Sequence, residues 1–84
     1  MRNDVQTLEL YLREVISYAS NARMMLQRPK CTSKHIKQAM KSLTEAEKIY
    51  NQIKDDQNYR FVKGSSLDET AQRSISAVKD ILDT

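Results

Sequence analysis

Cys31 and His35 are the two side chains best suited to chemistry, four residues apart and so within one helical turn of each other. That spacing places two soft ligands on one helix face, but a zinc site needs four donors and no carboxylate, histidine or second cysteine lies near. A hydrolytic triad fails on the same ground. The nearest acid after His35 is Glu45, nearly three turns on and on another face. Cys31 precedes a helix start among Arg28, Lys30 and Lys34, a setting that favours the thiolate, against the plainer reading of an incidental exposed thiol at a turn. Gly64 is the only glycine, so no glycine-rich phosphate loop exists. Tyr11, Tyr18, Tyr50 and Tyr59 read as core-edge residues with wet hydroxyls rather than a stacking platform. We therefore expect no enzyme, no metal site and no cofactor.

The remaining chemical feature is charge. Between Glu14 and Glu45 there is no Asp or Glu, while Arg23, Arg28, Lys30, Lys34, Lys37 and Lys41 all fall in that span. Residues 1–14 carry a net −1, residues 15–44 carry +6 and residues 45–84 carry −2, so a mild total of +3 conceals a strong asymmetry. Met24 and Met25 lie in the basic span, and flexible thioethers suit adaptable contact surfaces. A run of bases is ordinarily a solvated face that aids solubility. Beyond that, the expected role is a protein-binding one: Met24, Met25, Arg28, Lys30, Lys34, Lys37 and Lys41 meet an acidic surface on another protein, which they modulate, inhibit or deliver. The alternative is a nucleic-acid-binding accessory protein whose same bases contact phosphates. No aromatics are interleaved with the bases, and the helices are too long for a compact helix-turn-helix reader, so the first reading is preferred.

These residues are positioned by two heptad seams. Val5, Leu8, Leu12, Val15, Ala19, Ala22 and Leu26 follow a 3-4 spacing, as do Ile36, Ala39, Leu43, Ala46, Tyr50 and Ile53. Between them Pro29, the single proline, breaks the helical run. Folded back at that break, the seams pair Leu26 with Ile36, Ala22 with Ala39, Ala19 with Leu43, Val15 with Ala46, Leu12 with Tyr50 and Leu8 with Ile53. Each pair of numbers sums to 61 or 62, so one antiparallel register serves the whole length.

The expected fold is all-α: a helical hairpin (about 4–28 and 33–57) and a shorter third helix (about 66–83), a three-helix bundle in one domain. Asn3 or Asp4 caps the first helix, and Thr32 or Ser33 the second. Residues 58–65 form a linker in which Phe61 and Val62 plug the open end. Ser66 and Glu69 open the third helix as a capping box. Its apolar face is Leu67, Ala71, Ile75, Val78 and Leu82, with Ile81 alongside, and it is expected to pack on a second row of the first helix, Tyr11, Tyr18 and Met25, the alternative being that this row is a docking face for another protein. Being shorter than the hairpin arms, it leaves the turn end bare. Strict heptads also permit a self-associated four-helix homodimer.

With 39% hydrophobic and 30% charged residues the chain reads as folded and soluble rather than disordered. No run reaches the roughly 18 apolar residues of a membrane helix, and no basic-then-apolar leader opens it, so no membrane partner is expected. The lone cysteine fits a reducing compartment, which makes the expected location cytoplasmic. In size and outline such a hairpin resembles small cochaperones, needle subunits of bacterial secretion systems, small helical immunity proteins and short phage regulatory proteins. That likeness is one of shape, without a shared motif, and transfers no residue role.

Overall fold

The computed structural model describes residues 3–83. It contains three helices, α1 (Val5–Leu26), α2 (Ser33–Lys54) and α3 (Ser66–Leu82), with a 3-10 turn at Gln57–Phe61 before the last. No strand occurs among the described residues, and α1 packs closely along α2, so the chain is an all-α three-helix bundle.

Each helix start is set by a side chain that satisfies an otherwise orphaned amide. Asp4 accepts the Thr7 amide at 2.8 Å and opens α1. Thr32 opens α2 in a reciprocal box: the His35 amide reaches Thr32 Oγ1 at 3.4 Å, and the Thr32 amide donates to His35 Nδ1 at 3.3 Å. At α3 the cap is Ser65, which accepts the Asp68 amide at 3.3 Å, and not Ser66 as the sequence led us to expect. The shift of one residue puts Asp68 at the third helical position, its amide held by Ser65 while its carboxylate takes a different task, described below. At the other ends, α1 stops at Leu26 and α2 at Lys54, each short of its expected limit. Acidic side chains oppose the negative pole of a helix C-terminus, and after Lys54 come Asp55 and Asp56. Asp56 instead caps the 3-10 turn through the Asn58 amide at 2.9 Å.

The seam residues Leu8, Leu12, Val15, Ala19 and Ala22 are buried with Ala39, Leu43, Ala46, Tyr50 and Ile53 in one core. Leu8 and Ile53 line the same cavity, as the antiparallel register requires. Only the seam ends fall short: Leu26 is half-buried, and Val5 and Ile36 remain 37% and 40% exposed. At the open end, Asp56 Oδ2 accepts from both the amide and the side chain of Asn3, at 2.9 and 3.0 Å, which ties the start of the chain to the end of α2. Val62 is buried as the expected plug, but Phe61 lies outside with the Arg60 guanidinium 4.8 Å above its ring.

Helix α3 buries Ala71, Ile75 and Val78 and half-buries Leu67, Ile81 and Leu82, mainly against α1. It does not lie on the row expected to receive it. Tyr11 and Tyr18 are exposed, and Tyr11 lines an open cleft with Ile49 and Ile53 of α2, with nothing from α3. Helix α3 takes the opposite flank because its polar anchors are there. Asp68 meets Tyr50 and Tyr59, and Lys79 pairs with Glu47 at 3.0 Å.

Candidate functional site: the basic end of the hairpin

The level at which α3 stops follows from that ion pair. Lys79 lies beside Glu47, and Leu82 is three residues, about 4.5 Å, further on. Helix α3 therefore ends near the height of Leu43, leaving the ten residues of α2 back to Ser33 uncovered, roughly 15 Å of helix. The molecule measures 41 Å along its longest axis, consistent with one bare end on the hairpin.

Arg28 and Lys30 occupy the turn, and Lys34, Lys37 and Lys41 follow on the outward face of α2 at i, i+3 and i+7; all five are exposed. Among the described residues no carboxylate comes within ion-pair distance of any of them. Arg73–Glu69 and Lys79–Glu47, by contrast, are paired, and both pairs lie in the half covered by α3. Arg23 stands in the last turn of α1 and adds a sixth base.

The methionines divide. Met24 is 67% exposed but sits roughly half a helical turn from the seam, away from α2. Met25 is partly buried against the core and continues the tyrosine flank. The structure thus gathers the five bases at one end and leaves the two methionines on separate faces.

The same end carries two apolar side chains whose exposure the heptad pattern does not announce. Ile36 is 40% and Met40 52% exposed. Ile36 is the first seam position of α2, and Met40 belongs to no apolar heptad row. The signal was present in the row Met40, Glu47, Lys54, which becomes meaningful only once Glu47 is known to face α3.

Cys31 is exposed, and among the described residues its one hydrogen-bond contact is a long 3.9 Å approach to the Thr32 carbonyl. His35 Nδ1 is occupied by the Thr32 amide and hydroxyl, which makes the histidine a capping residue. No group of three His, Cys, Asp or Glu side chains able to hold a metal occurs among the described residues. No helix among them is long and apolar enough to cross a membrane.

Away from the basic end lies a buried polar cluster. Asp68 is fully buried, its Oδ1 accepting from the hydroxyls of Tyr50 at 2.7 Å and Tyr59 at 3.1 Å. Its Oδ2 accepts from Tyr59 at 3.0 Å, the Gly64 amide at 2.9 Å and Gln72 Nε2 at 3.2 Å. Burial, then the neighbouring Tyr59 hydroxyl and the Asp68 carboxylate, pushes the Tyr50 hydroxyl far above its ordinary value of 10.0. Burial also raises Tyr59. No buried side-chain donor or acceptor here is left without a partner among the described residues, so the cluster is a joint that fixes α3 to the hairpin.

No family model matches the chain, and no curated protein or solved structure matches it significantly.

Proposed function

We propose that the protein is a non-enzymatic binding module, acting in the cytoplasm, whose bare hairpin end captures an acidic surface on a partner protein and so modulates, inhibits or delivers it. One observation supports this reading: among the described residues the bases from Arg23 to Lys41 have no carboxylate within ion-pair distance, and they stand where α3 does not reach. Exposed like charges held together raise a local potential that steers and orients an oppositely charged surface. Phosphate contact through the same bases is the competing reading. It is disfavoured because no aromatic ring accompanies Lys34, Lys37 or Lys41 on their face and because the strip spans only about 10 Å of helix.

The test is capture from nuclease-treated host lysate, identification of the retained protein by mass spectrometry, and titration of that protein in purified form. The double charge reversal Lys34→Glu/Lys37→Glu should weaken its binding by at least about tenfold while leaving the melting temperature unchanged. Undiminished binding by the double variant would overturn the proposal. Retention on duplex DNA or RNA at low salt, abolished by the same substitutions in the absence of any protein partner, would favour the phosphate reading.

A further inference from the structure

The seat that holds α3 is longer than α3. On α2, Tyr50 and Glu47 face that helix: Tyr50 is bonded to Asp68, Glu47 is paired with Lys79, and both line a cleft with Gln72 and Ile75. Seven residues make nearly two whole turns, so residues seven apart share a stripe. Stepping back toward the turn from Tyr50 leads to Leu43 and then Ile36; from Glu47 it leads to Met40. Ile36 and Met40 therefore continue the surface on which α3 lies, beyond the point where α3 ends, and both stand open to solvent.

On α1 the tyrosine flank faces away from α3, which leaves the Ile16 flank on the near side. Ile16 is partly buried against the core, and seven residues further along the same stripe is Arg23. Leu26, half-buried, closes the far end of the seam. On the α2 side Lys37 stands next to Met40 along the outer edge. The result is an apolar shelf of Leu26, Ile36 and Met40 between a rim of Arg23 and a rim of Lys37 and Lys41.

We propose that this shelf is the docking seat for an amphipathic helix of a partner protein, laid in line with α3, with its apolar stripe on Ile36 and Met40 and acidic residues on both flanks. Two observations select that occupant. The shelf prolongs the α2 side of a seat that already accepts an amphipathic helix in this chain, so a second helix can lie in line with the first. Its rims are basic on both sides, and among the described residues no carboxylate forms an ion pair with Arg23, Lys37 or Lys41, which selects acidic flanks and rejects basic ones. The proposal rests on the reading of the basic end as a protein-binding surface and names the element bound there.

Two synthetic helical peptides of about 18 residues test it, each with leucines on one stripe, one flanked by glutamates and the other by lysines. In protein labelled at isoleucine and methionine methyls, the glutamate peptide should shift the Ile36 and Met40 signals to saturation, with the lysine peptide at least about tenfold weaker. Met40→Glu should weaken the glutamate peptide by a similar factor without altering the melting temperature, since the side chain is largely exposed. The proposal fails if those methyls do not move, if the two peptides bind alike, if Met40→Glu binds undiminished, or if the signals move on raising protein concentration alone, which assigns the shelf to a second copy. Capture of the identified partner separates the two readings. If Lys34→Glu/Lys37→Glu abolishes capture while Ile36→Ser/Met40→Glu retains it, the basic end stands and the shelf falls; if the lysine reversal leaves capture intact, both fall.

Discussion

The Tyr50 hydroxyl donates to Asp68 Oδ1 at 2.7 Å, joining the last third of α2 to the first turn of α3 through a carboxylate with no exposed surface. A hydrogen bond to a charged acceptor contributes about 1.5–3 kcal/mol, and an abandoned buried donor costs a comparable amount. Asp68→Ala removes the acceptor of the Gly64 amide and leaves the Tyr50 and Tyr59 hydroxyls, 3.2 Å apart, to pair with each other. We expect it to lower stability by about 3 kcal/mol or more, read as the midpoint of urea unfolding. Tyr50→Phe should cost more than Tyr59→Phe, because Tyr50 is buried whereas Tyr59 is only partly so. An Asp68→Ala protein as stable as the parent would show that the joint contributes nothing.

Both tyrosines titrate above their ordinary value of 10.0 in the folded protein. Unfolded tyrosines ionise near that value while the folded ones stay protonated, so alkali favours the unfolded chain. This contribution is complete below pH 10.0 and is lost as pH rises above it. The melting temperature should fall steeply there. Tyr50→Phe/Tyr59→Phe, less stable at neutral pH, should show a flatter alkaline limb.

The acid limb has the opposite sign. The Asn58 amide, followed by the Asn3 amide and side chain, holds Asp56 below its ordinary 3.8, and the Thr7 amide does the same for Asp4. Each contribution is present above 3.8 and lost as pH falls below it towards the folded value. Asp56→Asn should reduce the slope of melting temperature against pH in that range. An unchanged slope would mean that the bonds to Asn3 and Asn58 do not persist in solution.

Ala22 and Ala39, both completely buried, are the small residues at which α1 and α2 meet. Ala22→Leu or Ala39→Leu forces extra methylenes into that contact and should cost about 1–3 kcal/mol. A parental melting temperature in either variant would disprove the seam pairing.

Gly64 adopts φ +80, and a Cβ placed on it would meet nothing within 4 Å. Any penalty is therefore conformational. Gly64→Ala should destabilise by about 1 kcal/mol and Gly64→Asn by less, because asparagine tolerates the left-handed region better. Equal stability of all three by chemical denaturation would count against that backbone conformation.

The hairpin was legible because its information is periodic. Leu8 to Ala22 and Ala39 to Ile53 repeat every seven residues, and one register satisfies them all. What escaped was non-local. The row Tyr11, Tyr18, Met25 announces an apolar flank but not whether anything covers it, and α3 went to the other side. Asp68 looked like an unremarkable residue inside a capping motif, because its value depends on two tyrosines contributed by separate segments. Of the basic end, the charges were plain in sequence. The apolar shelf beside them was not, since Met40 gains meaning only from where α3 stops.

The separation of acids from bases has a kinetic consequence. With +6 on residues 15–44 and net negative charge on the stretches to either side, the molecule is a rod with a large dipole moment along its length. Any anionic body in solution will torque it turn-first before touching it, over a range of about 8 Å at physiological ionic strength. Added salt should then slow the encounter far more than it shortens the lifetime of the bound state.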